Sequence, residues 1–278
     1  MKEISTKTIT KEVERLCIEA ATYLPTEILE CLKNAKENEE GLSKEILEQI
    51  IQNDEIAAKE NIPMCQDTGI VVCFVEIGND VHLDGDLYQA INDGIHNGYI
   101  NGYLRKSVVS SPLNRINTKD NTPGIIHVKY VMGDKLKITI CPKGAGSENM
   151  SKVKMLTPAD GIKGIKEFVL STIKEASGRP CPPLIVGVGI GGNLETCALL
   201  AKEALIRPID DKASDEYARK LEEELLTEIN LLNVGPMGLK GKTTALACKV
   251  NTYPCHIASL PVAVNIQCHA ARHKEVIL

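Results

Sequence analysis

The sequence predicts an α/β (α+β) protein, a mixed β-sheet packed by helices behind a helical N-terminal segment. Three observations predict it: helical spacing of apolar residues at the start, short apolar runs from residue 70 onward, and an irregular order of strand-like and helix-like stretches thereafter.

The N-terminal part, about 1–60, divides into three helices. Val13, Leu16, Cys17 and Ala20 fall on one face, then Ile28, Cys31, Leu32 and Ala35, then Ile46, Ile50 and Ile51. Pro25 and Thr26 suit the start of the second helix, and Gly41 with Ser43 marks a break and an N-cap before the third. Strands are expected at IVVCFVEI, IIHVKYVM and KLKITIC, with a helix from about Asp86 to Leu104 between the first two. Further helices are expected at 158–177, 193–206 and 213–231, and strands at 183–189 and 256–266. No repeat, linker or low-complexity tract interrupts the chain, so residues 1–278 are expected to form a single domain.

Composition excludes several function classes. A formal net charge of −5 provides no broad positive field, so nucleic acid is not an expected partner. The longest apolar stretches are broken by Gly and Pro well short of a bilayer span, and the N-terminus lacks a signal-peptide core, so a cytoplasmic location without membrane attachment is expected. Ten cysteines then stand as thiols, ligands or core residues rather than disulfides. Cys17, Cys31, Cys73, Cys141 and Cys197 follow apolar patterns and are expected in the core; Cys248 and Cys255 fit no role clearly.

Chemistry-bearing residues concentrate outside the periodic segments, in PMCQDTG at 63–69, PKGAGSEN at 142–149, GRPCPP at 178–183 and QCHAARH at 267–273. Gly and Pro around Cys65 and Cys181 rule out regular helix there, and cysteines presented on loops are the kind that do chemistry. Asp67 can serve as an acid–base group or as a turn aspartate. Arg105 can pair bidentately with a carboxylate or sit at a helix end, and Gly144, Gly146 and Ser147 allow backbone N–H groups to approach an anion. His269 and His273 are expected on a polar helix face at the chain end rather than as a metal pair.

MCQDTG, Arg105, KGAGSEN, the Pro-flanked Cys181, VGIGGN at 188–193 and the final QCHAAR together resemble the alpha chain of class I fumarate hydratase and of L(+)-tartrate dehydratase, over essentially residues 5–273. The resemblance implies a [4Fe–4S] cluster on Cys65, Cys181 and Cys268, with Asp67 catalytic and Gln66, Arg105, Gly146 and Ser147 binding substrate. Three thiolates would leave one iron open as a Lewis acid for a departing hydroxyl. Reversible hydration of fumarate to (S)-malate, a tricarboxylic acid cycle step, is the first implied reaction, and tartrate dehydration the alternative. The motif segments offer few groups for two carboxylates, so a separate beta subunit in an αβ or α2β2 assembly is expected to complete the site around the small dicarboxylate.

Two other readings compete. G-x-G-x-x-G at Gly187, Gly189 and Gly192 matches a dinucleotide fingerprint and hence a nicotinamide-dependent oxidoreductase, whereas a tight strand-to-helix junction explains it more simply. A non-catalytic iron–sulfur carrier would usually bring a fourth cysteine.

Overall fold

A computed structural model describes residues 2–278. In chain order the elements are β1 (Lys2–Ile4), α1 (Thr6–Thr22), α2 (Thr26–Asn38), α3 (Gly41–Glu60), β2 (Ile70–Gly78), β3 (Val81–Leu83), α4 (Leu87–Asn101), β4 (Ile125–Val131) and β5 (Leu136–Lys143). They continue with α5 (Ala145–Glu148), β6 (Lys152–Leu156), α6 (Gly161–Ala176), β7 (Leu184–Gly191), α7 (Leu194–Ala204), α8 (Glu216–Leu231), β8 (Ala245–Tyr253), β9 (Leu260–Gln267) and β10 (Lys274–Ile277). The mixed α/β class is as the sequence predicts, and so are the three N-terminal helices.

The described residues form two compact units, each assembled from separated stretches of chain. Unit 1 takes 2–25, 53–145 and 272–278; unit 2 takes 26–52 and 146–271.

Unit 1 is built on a sheet of order β10-β5-β2-β4, in which β5 runs antiparallel to both β10 and β2 while β4 lies parallel to β2. The alternation of β2 buries Val71, Cys73 and Val75 against Ile138 and Ile140 of β5. Helices α1 and α4 cover that face through Ile9, Val13, Leu16, Ile91, Ile95 and Tyr99. Asp86 caps α4 by accepting from the backbone N–H of Gln89 at 3.0 Å. Ser43, expected as an N-cap, sits one turn further in: its hydroxyl donates to Glu39 and to the Glu40 carbonyl, in a helix that begins at Gly41 in unit 2.

Unit 2 has a sheet of order β6-β9-β7-β8, with β9 antiparallel to β6 and β7, and β8 parallel to β7. Its core joins Val186 and Val188 of β7 and Val262, Val264 and Ile266 of β9 to Val169 and Ile173 of α6 and Leu225 and Ile229 of α8. Two glycines of the apparent fingerprint belong to this packing. Gly187 and Gly189 lie inside β7 rather than after it, and a Cβ on either would come within 2.1 Å and 2.0 Å of the Ala201 and Cys197 carbonyl oxygens of α7. They let α7 press on the sheet backbone, so a packing demand produces the pattern. Asn193 then caps α7 from the turn, accepting from Thr196 N at 3.1 Å.

Three expectations change. His269 and His273 do not lie on a helix: the stretch before β10 is irregular, and the His269 N–H is drawn to the Cys181 carbonyl at 3.3 Å rather than to a helical partner. The segment 142–149 contains a single helical turn where a glycine-rich loop is expected. Cys31 is half-buried rather than in the core, at the margin of its helix face. The edge strands β6, β8 and β10 have no counterpart among the expected strands.

Candidate functional site

In unit 1 the candidate residues gather where β2 begins and β5 ends. Ile70 pairs with Lys143 in the ladder, which brings the 63–69 loop against the residues following β5. Gly69 makes the join possible: its φ is +76°, and a Cβ there would lie 2.7 Å from the backbone nitrogen of Lys143. Asp67 is held at both oxygens. Its Oδ1 accepts from Gly69 N at 3.0 Å and its Oδ2 from Ala145 N at 2.9 Å. The first bond is an Asx turn, so the structural role weighed for Asp67 is real. The second turns the carboxylate toward the KGAGSEN segment, which a turn alone does not require.

Arg105 follows α4, is exposed, and makes no ion pair among the described residues. Its carbonyl accepts from the Thr68 hydroxyl at 2.8 Å, so its backbone is tied to the same loop. Gln66 is exposed and Cys65 half-buried.

Three residues that the sequence reading does not single out hold this loop in place. Tyr99, fully buried in α4, donates its hydroxyl to the carbonyls of Thr68 at 2.6 Å and Gly69 at 3.2 Å. Asn121, also fully buried, donates to the Gly69 carbonyl at 3.0 Å and accepts from Ser107 N at 2.7 Å, linking the loop to the stretch beyond Arg105. Arg272 donates through Nη2 to the Asp67 carbonyl. Tyr99 lies in a helix, Arg272 in the last motif stretch and Asn121 in a polar loop, and in none of these settings does periodicity mark the side chain as a loop anchor.

In unit 2 the corresponding corner is where β7 begins and β9 ends, with Ile185 opposite Gln267. Cys181 precedes β7 with φ +55°, a left-handed conformation that non-glycine residues rarely hold without a reason. Its carbonyl accepts from His269 N, so the segment following Cys268 is bonded to Cys181. The Cys268 sulfur accepts from Gln267 Nε2 at 3.4 Å. Gly146 is exposed and Ser147 buried, both in the turn of α5.

The remaining cysteines contrast with these. Cys17 and Cys248 sit in the cores with thiols pushed well up by burial, and burial drives Cys73 up to about 12. They stay protonated and make poor ligands. Cys65, Cys181 and Cys268 are half-buried on irregular segments, and Cys255 alone is exposed. Among the described residues no three His, Cys, Asp or Glu side chains converge as they would on one metal ion. No described helix is long and apolar enough to cross a membrane.

Comparison with known proteins supplies both the class, that of the hydro-lyases, and the family. The family model for fumarate hydratase (Fumerase) matches residues 10–277, so the chain belongs to that family, whose members are hydro-lyases. It is 43% identical over 272 residues to a putative L(+)-tartrate dehydratase subunit alpha of Methanocaldococcus jannaschii, covering 95% of each chain. It is 29% identical over 282 residues to the L(+)-tartrate dehydratase subunit alpha of Escherichia coli O157:H7, covering 100% of this chain and 93% of that one. With the corresponding protein of E. coli strain UTI89 the identity is 30% over 276 residues, covering 98% and 91%.

Proposed function

We propose that this chain is the alpha subunit of an iron–sulfur hydro-lyase that interconverts fumarate and (S)-malate. The observation that carries the proposal is the bond from His269 N to the Cys181 carbonyl, which joins the segments of two half-buried cysteines far apart in sequence at one corner of a sheet. Core cysteines have no need of such an arrangement. Soft sulfur donors on irregular, partly exposed segments suit an iron–sulfur cluster. Cys65, Cys181 and Cys268 would hold the group. Bound there, it would supply an iron without a protein thiolate, a Lewis acid for the departing hydroxyl.

The chain's own residues do the rest. Asp67, oriented by the N–H groups of Gly69 and Ala145, takes or returns the proton at the carbon beside a substrate carboxylate. Arg105, exposed and without an ion-pair partner, receives one carboxylate in its planar fork, and Gln66 and the Gly146–Ser147 turn donate hydrogen bonds to the substrate. Few cations are left for the second carboxylate, which supports a beta chain that completes and dries the site; relatives named as alpha subunits support the same reading. The assembly is then αβ or α2β2, and its setting the cytoplasm.

Tartrate dehydration is the second reading, favoured by the names of the relatives above. The test is anaerobic reconstitution of the alpha and beta chains with iron and sulfide, followed by assay with fumarate, malate and both tartrate enantiomers. Turnover of fumarate and malate is expected from the pair and none from the alpha chain alone. Turnover of tartrate only would transfer the assignment to the second reading, and inactivity toward all four would end both.

A further inference from the structure

Arg272 is a charged group beside Asp67 that the proposed reaction leaves unused. It lies two residues before β10 and is 3% exposed. Its Nη2 donates to the Asp67 carbonyl, while Nε and Nη1 are buried and have no hydrogen-bond partner. It makes no ion pair among the described residues. A buried guanidinium with spare donors and no counterion costs folding free energy rather than supplying it, so stability alone gives no reason for a cation here. Its placement gives one. A Cβ added at Gly144 would lie 3.1 Å from Asp67 Oδ2 and 3.8 Å from Arg272 Nη2, so carboxylate and guanidinium share one small space.

We infer that Arg272 is a positioning residue: it anchors the backbone of Asp67 so that the Gly69 and Ala145 N–H groups can hold the carboxylate in its working orientation. The inference rests on the acid–base reading of Asp67 above. Tyr99 and Asn121 fasten the loop on the far side of Asp67, through the carbonyls of Thr68 and Gly69. Arg272 grips the Asp67 carbonyl itself, so its loss should disturb that residue most.

The experiment compares wild type, Arg272→Met and Arg272→Lys in the reconstituted complex with the beta chain. Arg272→Met keeps a long stem without donors and should lower kcat about tenfold or more at equal iron content. The inhibition constant of a saturated four-carbon dicarboxylate should move less than about threefold, and Arg272→Lys, which retains a cationic donor group, should recover most of kcat. Amide hydrogen exchange supplies a readout independent of turnover: Gly69 and Ala145 N–H should exchange faster in Arg272→Met. A large loss of dicarboxylate affinity at unchanged kcat would make Arg272 a substrate clamp and overturn the inference. So would unchanged kcat and exchange with only a lower melting temperature. Should Arg272→Met fail to fold, Arg272→Gln, neutral and shorter, is expected to show the same split and is judged by the same outcomes. An inactive wild type would instead remove the reading of Asp67, leaving unchanged exchange in the variants as the result that removes the role of Arg272.

Discussion

The two units share one plan of strands and fill it with different candidate residues. In each, a central strand has a parallel neighbour on one side and an antiparallel neighbour on the other, with an outer strand beyond: β4-β2-β5-β10 in unit 1 and β8-β7-β9-β6 in unit 2. In each, candidate residues stand at the corner where the central strand begins and its antiparallel neighbour ends: Asp67 beside the pair Ile70–Lys143, and Cys181 and Cys268 beside Ile185–Gln267. The antiparallel ladder forces these two ends together, so residues remote in sequence meet without any long loop having to search for its partner. What differs is the filling. The unit 1 corner gathers a carboxylate held by backbone N–H groups, a buried guanidinium and the half-buried Cys65, the unit 2 corner two half-buried thiols and no carboxylate so held. A shared architecture therefore chooses the place, and loop composition chooses the chemistry.

The comparison breaks most visibly at the sulfurs. Cys181→Ser or Cys268→Ser should abolish or gravely weaken iron uptake, with activity down by at least about a hundredfold, and Cys65→Ser in the other corner should do the same. Cys17→Ser should keep iron while costing about 1–3 kcal/mol of stability, because a hydroxyl replaces a thiol in an apolar core. Anaerobic iron and sulfide analysis of each protein decides, and a fully loaded Cys268→Ser protein would move suspicion to Cys255.

Asp67→Asn tests the other corner. It should leave iron content unchanged and reduce kcat by roughly 10²–10⁴-fold, the range for removal of a positioned acid–base group. Normal turnover would reduce Asp67 to its Asx turn.

A smaller effect probes the scaffold of unit 2. Gly189→Ala forces a methyl against the Cys197 carbonyl and should cost about 1–3 kcal/mol in denaturant unfolding. Nicotinamide cofactors should not protect either protein against unfolding; protection of the wild type would revive the dinucleotide reading.

The smallest effect concerns Asp54 in unit 1, buried with Oδ2 unpartnered and its carboxyl raised by burial to about 6. Its folded-state pKa lies above the unfolded value near 3.8, so the folded protein binds more protons between the two. This group's share of stability is present below pH ~4 and is lost as pH rises to ~6, by on the order of 1–3 kcal/mol. Asp54→Asn should flatten that part of the curve in urea melts taken across the range; an unchanged slope would assign it to other carboxylates.

Much of the scaffold was legible because it rests on long periodic faces: the three N-terminal helices, α4, and the apolar runs of β2, β5, β7 and β9. The missed strands β6, β8 and β10 have mixed patterns and are recruited by their neighbours' edges, a tertiary effect. The site divides in the same way. Cys65, Asp67 and Cys181 announce themselves through Gly and Pro punctuation, whereas Tyr99, Asn121 and Arg272 act through side-chain bonds to carbonyls that no spacing rule encodes.

The strand β10 has a consequence for how the protein is made. It completes the sheet of unit 1 with residues 274–277, although the rest of that unit ends at residue 145. During synthesis, at about 5–20 residues per second, the first 145 residues leave the ribosome several seconds before β10 does. In that interval β5 shows an unpaired edge to the cell and the Asp67 backbone lacks its arginine. Unit 2, whose outer strand β6 is translated ahead of β7 and β9, waits for nothing beyond residue 271. The corner bearing the carboxylate is thus the last to mature, and a nascent chain stalled just short of β10 would expose its hydrophobic ladder to aggregation.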